Sequence, residues 1–272
     1  MHPLSLAALT VLELTPDEQI ICAHDCGYQG VGLRLIPATP QETYFSLLRD
    51  AARLKKVKSL INSTGIKVFD IEIFRLKPDT NLKDFIPFLE LGAELGTKNM
   101  LVAGNNPDRN SLIDQWSLLC EISRAYGIKP HMEPMPWTDV KSYLDAVSLI
   151  ETNPDWGAVL IDPIHFFRSK GDCSQIQESH VSKMGYIQLA DAPSVIPDTM
   201  EEILRQARED RLPPGLGGFP LRGLLEKMAS DMPISVEVPL AARWGCASAN
   251  DKANLVRKHT LKLLDRIKDA SV

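Results

Sequence analysis

One punctuation mark organises the chain. Segments whose apolar residues recur at three- and four-residue spacing end at a glycine, and a β-rich run begins within a few residues. Gly27 precedes VGLRLI (31–36), Gly65 precedes VFDIEIF (68–74) and Gly96 precedes NMLVAG (99–104). Gly127 precedes the run through His131, Met132 and Glu133; Gly157 precedes AVLID (158–162) and Gly185 precedes YIQLAD (186–191). Glycine enters the left-handed conformation past a helix end at little steric cost, so each mark is a helix-stop signal with a mechanism. Successive marks lie 38, 31, 31, 30 and 28 residues apart, the length of one strand–helix unit.

With an N-terminal run over 4–11 and a late run ISVEVPL (234–240), the pattern predicts eight strands. Helices are expected over 15–26, 43–61, 82–95, 111–126, 140–151 and 251–268; the first opens on Thr-Pro-Asp-Glu, a cap followed by proline. Strands and helices alternate with no linker in a chain of 272 residues, which predicts a single (β/α)8 TIM barrel over residues 1–272. A doubly wound open sheet is the alternative, but no glycine-rich phosphate loop follows the first strand.

Composition excludes several function classes. The chain is 44% hydrophobic and 24% charged, as expected of a globular protein, and its net charge of −5 argues against nonspecific nucleic-acid binding. No apolar run is long enough to span a membrane, and the N-terminal MHPLSLAALTVLEL lacks the basic start and cleavage site of a secretory leader, so it reads as the first strand. Five cysteines without framework spacing fit reduced thiols in a cytoplasm, with Cys22 and Cys26 read as core packing.

One connection is out of proportion. Some thirty residues separate Asp191 from the helical pattern at Leu221; their middle, 200–208, has the pattern of a short amphipathic helix. On the carboxyl side of a barrel strand such a length marks residues 192–220 as a candidate lid.

The strand ends carry the chemistry. AVLIDPIHFFRSKGD (158–172) is an apolar run ending in Asp162, with His165 and Arg168 expected on the loop that follows. Strand five ends with Glu133, strand seven carries Gln188 and strand eight Glu237, all within apolar runs where an unpaired carboxylate costs several kcal/mol. Three carboxylates converging on one mouth repel unless a cation neutralises them. With an amide oxygen, they suit a divalent ion such as Mn²⁺ or Mg²⁺ better than zinc. The competing reading pairs each with a local Arg or Lys, and His131 reads as a satisfied core histidine.

The chain resembles the xylose-isomerase-like barrels, the sugar-phosphate isomerase/epimerase superfamily, over essentially its whole length. The resemblance is carried by VGLRLIP (31–37), EPMPWT (133–138), DPIHFFRS (162–169), YIQLADAP (186–193), DRLPPGLG (210–217) and VEVP (236–239). It implies a divalent metal, Mn²⁺ first and Mg²⁺, Co²⁺ or Zn²⁺ as alternatives, held by Glu133, Asp162, Gln188 and Glu237. It also implies substrate contacts from His165 and from Arg211, and association of copies through the carboxyl face into a homo-oligomer. Two departures stand out. Strand seven more commonly ends in histidine, so Gln188 resembles the subset containing bacterial 3-dehydroshikimate dehydratases, and Leu216 replaces the acid usual in the Pro-Gly loop.

The chemistry expected is proton abstraction beside a carbonyl. A metal chelated by a vicinal hydroxyl and carbonyl acidifies that C–H, and Glu133 and Glu237 remove and return the proton. His165, Arg168 and Arg34 orient the substrate, or the two arginines merely pair with neighbouring carboxylates. The expectation is an isomerase or epimerase acting on a small polyhydroxylated substrate, a sugar or polyhydroxy ketone. The alternative is a lyase of the dehydroshikimate dehydratase type. An endonuclease-like relative would need more than the six histidines present, and a metal-free scaffold would not keep four ligand-type residues.

Overall fold

The computed structural model describes residues 2–42, 44–153, 155–241 and 244–269. In chain order it contains β1 (Leu4–Leu6), α1 (Pro16–Asp25), β2 (Gly30–Arg34), α2 (Ala51–Thr64), β3 (Lys67–Leu76) and α3 (Ile86–Glu94). Next come β4 (Asn99–Gly104), α4 (Arg109–Ala125), β5 (Lys129–Met132), α5 (Tyr143–Ile150), β6 (Ala158–Ile161) and α6 (Pro163–Arg168). The last third holds α7 (Glu178–Val181), β7 (Met184–Leu189), α8 (Met200–Glu209), α9 (Leu221–Leu225), β8 (Ile234–Val236) and α10 (Ala249–Asp269). All eight strands pair in parallel and in sequence order, and β1 closes the ring on β8 through Ser5 opposite Ser235. The fold is a (β/α)8 barrel.

The main core lies between strands and helices, where Trp116, Leu119, Tyr143 and Phe166 are buried with the outward residues of the strands. A smaller apolar cluster of Ile73, Leu101, Ala103, Met135, Leu160 and Tyr186 is packed separately. Alternation along a strand is what separates the two faces. It also places Glu133, one residue beyond the end of β5, on the same side as His131, and Gln188 on the same side as Tyr186.

The six punctuating glycines divide by cause. Gly27, Gly65, Gly96 and Gly127 have φ between 67° and 80° and end their helices as expected. Gly157 and Gly185 do not. A Cβ at Gly157 would lie 2.5 Å from Cζ2 of Trp116, and one at Gly185 would overlap Nε2 of His131. These two glycines are there for space.

Several boundaries differ from expectation: β8 ends at Val236 and not at Leu240, and α5 begins at Tyr143 and not at Val140. The first strand stops at Leu6, because residues 8–11 turn into a 3-10 helix whose Thr10 hydroxyl donates to Val236 O and accepts from Val238 N, both at 2.9 Å. The second helix starts at Ala51, where Asp50 accepts from Arg53 N at 2.9 Å; Thr43, its expected first residue, lies outside the described residues. His165 and Arg168 sit on a helix, α6, and not on a loop. Asp162 caps that helix by accepting from Ile164 N at 2.9 Å, and Pro163 begins it.

Candidate metal and active site

The carboxyl ends of β5 to β8 bring four predicted ligands to one mouth, all at most 4% exposed: Glu133, Asp162, Gln188 and Glu237. Gln188 Nε2 donates to Glu237 Oε1 at 3.0 Å. Donor atoms of Glu133, Asp162 and His165 lie within 4.8 Å of one another, so the short helix α6 brings His165 in among the candidate donors. His165 Nε2 stands 3.7 Å from Glu133 Oε1 and 3.8 Å from Asp162 Oδ2, close enough for charge interaction but too far for hydrogen bonds.

Arg211 is the cation that touches two of these carboxylates. Its Nη1 donates to Asp162 Oδ2 at 2.6 Å and to the Glu237 carbonyl at 3.0 Å, Nη2 lies 2.8 Å from Glu237 Oε2, and Nε donates to Ala207 O at 2.7 Å. The side chain is 1% exposed, so one guanidinium neutralises two of the three carboxylates without solvent screening. Among the described residues Glu133 has no such partner.

Electrostatics follow from that asymmetry. Burial pushes the Glu133 carboxyl well up, and the charges of Glu237 and Asp162 push it further. Burial takes Glu237 up to about 8, against the pull of Arg211. Burial would also raise Asp162, but Arg211, His165 and the Ile164 N–H together hold it low. His165 is held neutral, pushed down to about 4 by burial.

A divalent ion fits these residues. Glu133 Oε1, Gln188 Oε1 and His165 Nδ1 are buried without a hydrogen-bond partner among the described residues. Buried polar atoms are ordinarily satisfied, and the two unpaired oxygens, with His165 Nε2 beside Glu133 and Asp162, suit a cation.

The mouth opens into a cavity of about 290 Å³, near the lower end of the roughly 300–1,000 Å³ usual for small-molecule sites. Among the lining residues not singled out from the sequence are Glu42, Arg208, Trp137, and Glu72 and Arg75 on β3. The signal for β3 was present, since Asp70 and Glu72 interrupt the apolar run of VFDIEIF at alternate positions. Trp137 sets its ring edge-on to His165, 4.9 Å between centroids.

The two remaining arginines are engaged locally. Arg34 lines the cavity but its guanidinium is held by Glu42 at 2.9 Å and Glu72 at 3.2 Å. Arg168 turns away from the cavity lining. It donates to Pro193 O at 2.8 Å and Gln206 Oε1 at 2.9 Å and stacks over Phe219, so it anchors the 192–220 connection. Ala207, Arg208 and Glu209 of that connection's helix α8 line the cavity.

Comparison with known proteins places the fold in a family. Residues 22–263 match the family model of the xylose isomerase-like TIM barrel. The chain belongs to that family. It is 30% identical over 160 residues to a 3-dehydroshikimate dehydratase of Pseudomonas putida, an alignment covering 55% of this chain and 24% of that protein. The chain thus spans about a quarter of the length of the relative it matches. The solved IOLI protein, which carries a zinc atom, superposes with a TM-score of 0.79 at 18% identity, over 97% of this chain and 99% of that one. A 3-keto-D-glucoside 4-epimerase of E. coli, YcjR, gives 0.69 at 16% identity, over 95% and 100%. Proteins named as an epimerase and a probable dehydratase thus share this barrel fold. Among its described residues no helix is long and apolar enough to cross a membrane.

Proposed function

We propose that the protein is a divalent-metal-dependent isomerase or epimerase acting on a small sugar or polyhydroxy ketone. The observation that carries this reading is the pair Glu133 and Glu237: two buried carboxylates, both with raised proton affinity, at one polar mouth. Glu133, Asp162, Gln188 and Glu237 would hold the ion, Mn²⁺ by preference, since three carboxylates and an amide oxygen form a hard donor set. The bound ion would polarise the substrate carbonyl and stabilise negative charge developing on its oxygen.

The chain's own residues do the rest. One of Glu133 and Glu237 takes the proton from the carbon beside the carbonyl, and the other returns a proton at the neighbouring atom or the opposite face. His165, neutral and braced by Trp137, donates to or accepts from a substrate hydroxyl. Arg211 keeps Asp162 charged while the base is being protonated. The 192–220 connection acts as the cover, with Arg168 as its anchor, and the whole of 1–272 works as one catalytic barrel.

A second reading, a dehydratase of the 3-dehydroshikimate type, has its own support. Gln188 stands where histidine is commoner, the Pseudomonas putida relative carries that name, and Arg75 and Arg208 line the cavity as cations able to meet a substrate carboxylate. In the dehydratase the first proton transfer is the same, and a β-hydroxyl leaves in place of proton return.

Incubation with Mn²⁺ and candidate ketoses in deuterium oxide tests the first reading: exchange into the carbon beside the carbonyl is expected. No exchange, together with an absorbing aromatic product from 3-dehydroshikimate, would establish the second reading instead.

A further inference from the structure

The 210–219 segment, DRLPPGLGGF, carries Arg211 at its start and has almost no hydrogen bonds of its own. Each backbone N–H can be followed. Pro213 and Pro214 have none, and Leu216 N donates within the segment to Pro213 O at 3.0 Å. Of the four that remain beyond Leu212, one, Gly218 N, donates to Ala192 O at 2.8 Å. The other three converge on one side chain: Gly215 N and Gly217 N donate to Asp191 Oδ2 at 3.0 and 2.9 Å, and Phe219 N to Oδ1 at 3.1 Å. Ala192 N adds a fourth donor to Oδ1 at 2.9 Å.

Asp191 is 1% exposed and follows two residues after the end of β7. Its backbone pairs in both directions with Leu212, at 2.9 and 2.8 Å, next to Arg211. A Cβ at Gly217 would overlap the Asp191 carboxylate. Gly217 of the Pro-Gly loop thus makes room for this carboxylate and for the neighbouring Ala192 carbonyl.

We propose that Asp191 is a positioning residue: its carboxylate latches the 213–219 loop to the end of β7 and thereby holds Arg211 against Asp162 and Glu237. The inference rests on reading those two carboxylates as metal ligands. A guanidinium so held shares the oxygens an ion would use and repels a cation, so its withdrawal has a signature that general loosening of the site lacks. Divalent metal then binds more tightly while turnover falls.

The experiment is a Mn²⁺ titration by calorimetry on the full chain and on Asp191→Asn, Gly217→Ala, Arg211→Gln and the Asp191→Asn/Arg211→Gln double variant. Asp191→Asn replaces one acceptor oxygen by a donor, and Gly217→Ala crowds the same carboxylate, with the Ala192 carbonyl beside it, without changing any charge. Both are expected to tighten Mn²⁺ binding roughly tenfold, the effect of moving a unit positive charge out of near contact. The double variant should match Arg211→Gln alone, because the latch acts only through that side chain. Unchanged or weakened Mn²⁺ binding in the two latch variants, or additive effects in the double, overturns the proposal.

Phenylglyoxal labelling of the metal-free protein, mapped by mass spectrometry, reads Arg211 directly and requires neither metal nor a foldable Arg211→Gln. Arg211 should resist labelling in the parent chain and be modified in Asp191→Asn and Gly217→Ala. Continued protection in both variants refutes the latch. A parent chain that takes up no Mn²⁺ refutes the ligand reading alone, and the labelling then decides the role of Asp191.

Discussion

Arg211 donates to Asp162 at 2.6 Å inside a site where neither side chain is more than 1% exposed. The same guanidinium reaches Glu237 at 2.8 Å, so a cation from the β7–α9 connection joins the ends of β6 and β8. Truncating one member of a buried pair leaves the other charge stranded, which costs about 3–5 kcal/mol. The candidate site therefore contributes to holding its own roof in place.

Glu237→Gln removes a ligand-type carboxylate while keeping its size and its contact with Gln188. Mn²⁺ affinity is expected to fall at least about a hundredfold, with turnover lost and the circular dichroism spectrum unchanged. Calorimetric titration measures it, and metal retained with full affinity would remove Glu237 from the ligand set.

His131 gives a pH-dependent term that can be isolated. It is fully buried, its Nε2 has no partner among the described residues, and burial pushes its pKa down to about 3. The unfolded chain, near 6.5, then binds more protons than the folded one below that pH. Stability is lost as pH falls from about 6.5 toward 3, at up to ~1.4 kcal/mol per pH unit. Urea unfolding of the parent and His131→Gln should therefore converge by roughly 2 kcal/mol between pH 7 and pH 5. A difference independent of pH would mean that His131 is not held neutral.

The two kinds of punctuating glycine respond differently to alanine. Gly65→Ala meets nothing within 4 Å but retains a φ of 73°, which costs about 1–2 kcal/mol. At Gly157 the added methyl meets the Trp116 ring at 2.5 Å, an overpacking cost of about 1–3 kcal/mol. Trp116→Phe should recover part of the second loss and none of the first, as read by denaturant midpoints.

Arg168→Ala should free the cover without touching the metal donors. Its guanidinium holds Pro193 and Gln206, and its loss should raise the rate of proteolysis within 192–209 several-fold. Mn²⁺ affinity should stay within about twofold, since no metal-donor atom is removed. Unchanged cleavage would show that other contacts hold the connection.

Much of the barrel was legible because its signals are local. A glycine past a helix end, an apolar run and a cap act within a few residues, and their regular spacing forces an eight-fold repeat. The carboxylates Glu133, Asp162 and Glu237 were legible for a related reason: a charge at the end of a buried strand is costly, so its presence announces a partner. His131, expected to be a satisfied core histidine, lies in the core but leaves Nε2 unpaired among the described residues. Other partners could not be read. Arg34 could reach substrate or a local acid, and only the approach of Glu42 and Glu72 shows which groups hold it here.

What the sequence determined by itself is the eight-strand repeat and the candidate metal donors at the ends of strands five to eight. Tertiary structure decided how those donors are arranged: that the 162–168 segment is a helix bringing His165 among them, that Arg211 bridges Asp162 and Glu237, and that Asp191 holds its loop. The last two depend on contacts between residues 21 to 49 positions apart, where chain order says little about distance. Periodicity reports which side of an element faces inward; only closure of the barrel sets which inward residues meet.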